Sequence, residues 1–136
     1  MIHLKKPRCY LLVAHAPENV TPSRANDIFN AFVAERRLPL VIFHDHFIGQ
    51  LGGVALFFIE NAEERAMLEQ HSLLATWSCQ LYPLIYAYNP AAVDEQITYT
   101  LKHYRDVDWQ MLRHEKRPHY GDPNREAQTG QEDENV

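Results

Sequence analysis

Cysteine is too scarce here to build a disulfide framework. Cys9 and Cys79 are the only two in 136 residues, and nothing in their spacing demands an oxidising compartment. Basic charge is scarce as well. The chain has 13 Lys and Arg against 18 Asp and Glu, a formal net charge of −5. It therefore lacks the cationic excess that neutralises phosphates, and no nucleic-acid partner is expected. The basic residues that exist are scattered, as Lys5, Lys6 and Arg8, then Arg36 and Arg37, then Arg113, Lys116 and Arg117. No apolar run is long enough to cross a bilayer, so no membrane partner is expected. The apolar stretch after Lys5 and Lys6, from Cys9 to Ala16, is only strand length and is followed by no small-residue cleavage pattern. It reads as a strand and not as a signal peptide, and the expected location is cytoplasmic. Internal repeats, a nucleophile elbow, a phosphate-binding glycine loop and a dinucleotide fingerprint are all missing.

What remains is a chain of one-domain length with 46% hydrophobic and 23% charged residues, sufficient for a buried core. Residues 1–8 are a polar lead-in. Cys9–Ala16 is rich in strand formers and stops at Pro17. Thr21 before Pro22 is a helix start, and Ala25, Ile28, Phe29, Phe32 and Val33 recur at helical spacing, predicting a helix to about Arg37. Arg36 and Arg37 would then suit the negative end of its dipole. Leu40–Ile48 is a second strand, Gly49–Gly53 a reversal, and Val54–Ile59 a nearly all-apolar strand expected at the centre of the sheet.

Asn61 with Glu64 has capping-box spacing and opens a helix expected to reach Leu74. Residues 79–88, CQLYPLIYAY, form a fourth strand; Pro83 cannot donate to a ladder and places that strand at an edge or a bulge. Asn89-Pro90 starts a third helix, with Val93, Ile97, Leu101 and Tyr104 along one face to about Arg105. Residues 106–136 are expected to be a polar, partly disordered C-terminal extension.

Strand, helix, strand, strand, helix, strand, then an extra helix, is the βαββαβ order of an α+β ferredoxin-like domain with an antiparallel sheet, here over residues 9–105. With the Gly52-Gly53-Val54-Ala55-Leu56-Phe57 entry to the third strand, the chain resembles the dimeric α+β barrel superfamily. That superfamily holds antibiotic-biosynthesis monooxygenases, stress-responsive barrel proteins and YCII-related proteins. The resemblance implies a sheet with two helices on one face, the other face open to a second copy, and so a homodimer; it carries over no site residue.

The polar cluster His44-Asp45-His46 interrupts the second strand. Residues two apart on a strand share a face, so His44 and His46 point together and Asp45 points away. Three chemistries suit such a pair. One is proton transfer, with His44 or His46 as base on a small aromatic or carbonyl compound. The ligand would lie among Phe57, Trp77, Tyr82 and Tyr86, with Ile48 nearby. A second is a transition-metal site built from His15, His44, His46 and Cys79, which the topology brings to one end of the sheet. The third is structural: histidines at a contact in a non-catalytic homo-oligomer. The leading expectation is a small-molecule-binding protein, with the homo-oligomeric interaction protein and the metal-binding protein as its alternatives.

Overall fold

The computed structural model describes residues 7–114. Its elements follow the expected order: β1 (Arg8–His15), α1 (Pro22–Val33), β2 (Leu40–His46), β3 (Gly52–Ile59), α2 (Ala62–Glu69), a 3-10 turn at Ser72–Leu74, β4 (Ser78–Pro83), α3 (Pro90–Arg105) and a short α4 (Trp109–Leu112). The four strands form one sheet in the order β2-β3-β1-β4, and every neighbouring pair is antiparallel. β3 thus lies between the parallel β1 and β2, and β1 between the parallel β3 and β4. These are two interleaved split βαβ units, the α+β ferredoxin-like class.

Local chemistry accounts for most of the element ends. Thr21 Oγ1 accepts from the Arg24 N–H at 3.2 Å, with proline in the first turn of α1. Asn61 Oδ1 accepts from the Glu64 N–H at 2.9 Å, while Glu64 Oε1 reaches back to the Glu60 N–H at 2.7 Å. Asn89 Oδ1 accepts from the Ala92 N–H at 2.7 Å. The Thr21, Asn61 and Asn89 oxygens each satisfy a donor that a helix start leaves unpaired.

Four boundaries fall short of the expected ones. α1 stops at Val33 rather than Arg37; beyond it a turn closed by the Leu38 N–H on the Glu35 carbonyl (3.1 Å) buries Leu38. Arg36 and Arg37 therefore lie beyond the helix. α2 stops at Glu69 rather than Leu74; the His71 ring accepts from the Leu73 N–H and starts a separate 3-10 turn. β2 ends at His46, two residues before Ile48. β4 is an edge strand, as its proline requires, and it ends at Pro83. Beyond Pro83 the chain bulges: the Leu84 N–H donates to the Cys9 carbonyl, but the Cys9 N–H donates to the carbonyl of Ala87, three residues further on. Arg8 Nη1 then donates to the loosened Leu84 and Ile85 carbonyls at 2.8 and 3.2 Å.

The register divides the strands into two faces. Tyr10, Leu12 and Ala14 of β1 stand beside Phe57, Ala55 and Gly53 of β3. This face meets Ala25, Phe29 and Phe32 of α1, Leu68 of α2, and Leu74 and Trp77, in one buried cluster. The opposite face contributes nothing to that cluster. Within it Cys9 and Leu56 are buried, Leu11, Val13, Val54 and Phe58 are half-buried, and Leu40, Phe43 and Tyr82 are exposed.

The chain forms two compact units, one running to Ile97 and the other starting at Thr98. In the second unit a Lys102–Asp106 ion pair closes the end of α3 at 2.9 Å, where Asp106 takes a positive φ of 54°. Tyr99 stacks on His103 at 4.9 Å. The extension expected over residues 106–136 is seen only to His114, as a turn and α4; the rest of it lies outside the described residues. No helix among the described residues is long and apolar enough to cross a membrane.

Candidate functional site: a histidine pair closed on Asn30

A β-bulge decides where the histidines point. Val41 pairs with Phe57, and Phe43 pairs with the next β3 residue, Leu56, so Ile42 is inserted in β2. One extra residue inverts the alternation of everything after it. Val41 faces the helices, but Phe43 and Asp45 turn to the opposite face. His44 and His46, which pair with Ala55 and Gly53, turn toward α1.

There they meet Asn30. His44 Nε2 lies 3.0 Å and His46 Nε2 2.9 Å from Asn30 Oδ1. An amide oxygen only accepts, so both rings present an Nε2–H to it. The rings are also held from below. Phe29 presents its ring to both histidines, with centroids 6.2 Å from His44 and 5.8 Å from His46 and interplanar angles of 62° and 78°. The histidines meet each other edge to face at 5.6 Å. Phe29 itself is fully buried, stacked on Trp77 at 5.9 Å.

Gly53 is what lets Phe29 sit so low. A Cβ there would come within 2.8 Å of Phe29 Cε2 and would also strike the Asp45 carbonyl. Its neighbour Gly52, at φ +136°, adopts backbone that disfavours other residues, and a side chain there would collide with the Ala14 carbonyl. The Gly-Gly pair therefore serves packing against α1 and β1 as well as the reversal.

The other expected site residues are distributed differently. His15 does arrive at the same end of the sheet as His46, their β3 partners being Gly52 and Gly53. It faces the opposite side, however, where its ring stacks on Phe47 at 5.4 Å. Cys79 pairs with Ala14 on the helix-side face of the far edge strand. Partial burial pushes its thiol up from the ordinary value, away from the thiolate that a metal ligand or nucleophile needs. The four-residue set His15, His44, His46 and Cys79 is thus not assembled. Among the described residues no three His, Cys, Asp or Glu side chains are grouped to hold a metal ion.

The aromatic residues expected to wall one cleft are also split. Phe57 and Trp77 are buried in the helix-side core, Phe57 packing edge to face on Phe32 at 6.0 Å. Tyr82 lies on the opposite face, its hydroxyl donating to Gln80 Oε1. Tyr86 follows the bulge beyond β4 and is largely exposed, as is Ile48.

Two features were missed by sequence reasoning. Asn30 sits just outside the apolar stripe of α1, where polar residues are unremarkable; only the bulge at Ile42 makes it a partner. The second is a groove of about 350 Å³ on the helix side, lined by Leu12, Leu68 and Leu81 with Arg65, Glu69 and Cys79. Arg65 spans it, donating to Glu69 Oε1 at 2.7 Å and lying over the Tyr10 ring at 5.6 Å. No family model, no curated protein and no solved structure matches this chain.

Proposed function

We propose that the protein works as a homo-oligomer in which two copies pack the open faces of their sheets together, and that the seam between them admits a small apolar or aromatic molecule. The observation that carries this reading is the character of that face. The strands send Leu11, Val13, Val54, Leu56 and Phe58 to its middle and Leu40, Phe43 and Tyr82 to its margins, with Asp45 as the one charged side chain of the set. An apolar sheet face in water is the ordinary mark of an interface. A second copy is the natural occupant, because an almost uncharged patch meets itself across a two-fold axis without repulsion. The resemblance to the dimeric α+β barrel superfamily points the same way. Tyr82 would lie in the seam, its proton given to Gln80 and its hydroxyl oxygen left to accept from a ligand. His44 and His46, turned toward α1, would act outside it.

An apolar fluorescent dye tests the reading. Dye bound per chain should rise with protein concentration through the association range and level off at one dye per pair, since only paired copies form the seam that holds it. Dye binding that is independent of concentration would count against it.

The groove between α2 and β4 supports a second reading. Its size matches that of small-ligand sites, and it combines an apolar floor with a few polar groups. A small aromatic carboxylate held there should slow modification of Cys79 by a thiol reagent; an unchanged rate across a carboxylate series would remove this alternative.

A further inference from the structure

We propose that His44, His46 and Asn30 form a binding site for a divalent transition-metal ion, with His44 Nε2, His46 Nε2 and Asn30 Oδ1 as three ligand atoms on one side of the ion and solvent on the other. This site is separate from the sheet face and does not rest on the oligomeric reading.

Two imidazole nitrogens from β2 lie within hydrogen-bond distance of one amide oxygen from α1. Their spacing suits an ion. Ligand atoms about 2.1 Å from a metal are about 3.0 Å apart in octahedral geometry and about 3.4 Å apart in tetrahedral geometry. The two distances to the amide oxygen, 2.9 and 3.0 Å, match the octahedral edge. Imidazole nitrogens with one oxygen suit nickel, cobalt or iron in the divalent state better than magnesium or calcium, which prefer oxygen alone.

Preorganisation is the second support. His44 and Asn30 are exposed, so water could satisfy them, and the core does not require the cluster. Yet both rings are fixed by the buried Phe29, which Gly53 and Trp77 hold in place. The bulge at Ile42 spends an irregularity of the strand on turning these two side chains to α1. Without an ion, two N–H groups share the Asn30 oxygen. With one, each ring would carry a proton on Nδ1 alone and direct the Nε2 lone pair at the metal, so the hydrogen bonds to Asn30 are exchanged for coordination.

Titration of the tag-free full chain with Ni²⁺, followed by calorimetry after removal of adventitious metal, provides the test. The expected result is one ion per chain, with affinity lowered by about tenfold or more in His44→Ala, in His46→Ala and in Asn30→Ala, while His15→Ala binds as the parent does. Far-UV dichroism and the melting temperature show whether each variant has folded. A second measurement needs no variant: substoichiometric Ni²⁺ should broaden the imidazole C–H resonances of His44 and His46 and the Asn30 side-chain amide before any other. Absence of Ni²⁺ uptake at millimolar ion, uptake undiminished in a folded His44→Ala, His46→Ala double variant, or broadening centred on other histidines would each overturn the proposal.

Discussion

The two faces of the sheet are built from similar amounts of apolar side chain and have different fates. The helix-side face is closed: Phe29, Phe32, Phe57, Ala14 and Ala55 are fully buried, and Tyr10 and Leu12 are nearly so. The opposite face buries Cys9 and Leu56 and leaves Phe43 49% and Leu40 60% exposed. The contrast shows that apolar content alone does not decide burial. The crossovers place α1 and α2 on one side, and a single inserted residue in β2 then exchanges Phe43 for the histidines. The face that lost its polar pair became the apolar one.

Substitutions can break this contrast in order of expected size. Phe29→Ala removes the side chain on which α1, Trp77 and both histidines rest, and should destabilise the fold by about 3–5 kcal/mol in denaturant unfolding. Gly53→Ala forces a methyl group against that ring and against the Asp45 carbonyl. A loss of about 1–3 kcal/mol is expected from such overpacking, with the His44 and His46 resonances shifted by displacement of Phe29. Asn30→Ala removes the shared acceptor of an exposed cluster, so a smaller loss of about 0.5–1.5 kcal/mol should appear in the same assay.

The open face should behave otherwise. Phe43→Lys should change the stability of the isolated chain by less than about 0.5 kcal/mol, as exposed substitutions do, while altering its association. Cys9 adds a dependence on pH. Burial pushes its thiol up from the ordinary value, so the folded chain keeps this proton where the unfolded chain has lost it. Stability is therefore full below the ordinary thiol range and declines as pH rises through and above it. Urea midpoints measured across the alkaline range should fall with pH, and Cys9→Ala should flatten that slope.

Much of this was legible in the residues. The caps at Thr21, Asn61 and Asn89 announce themselves by side-chain chemistry at fixed spacing, and Pro83 marks β4 as an edge. The order of elements fixes which strands neighbour one another. The candidate site was legible only in part. Alternation correctly keeps His44 and His46 together and Asp45 apart, but it cannot say which face receives them. That depends on a bulge at Ile42, which no glycine or proline signals. Asn30 was invisible for the same reason. It acquires a role only from the far side of a long-range contact, and the same phase argument separates His15 from the pair, although their strands end at the same edge of the sheet on either side of β3.

The proposed pairing of two copies through the apolar face opposite the helices is open to a direct measurement of mass. Sedimentation equilibrium of the full chain, beside Phe43→Lys, tests it most directly. The expected mass is about twice that of the 15.9 kDa chain at micromolar concentration, reverting to one chain in the variant with its fold intact. A parent that stays monomeric across the concentration range, or an oligomer indifferent to a lysine at residue 43, would contradict it.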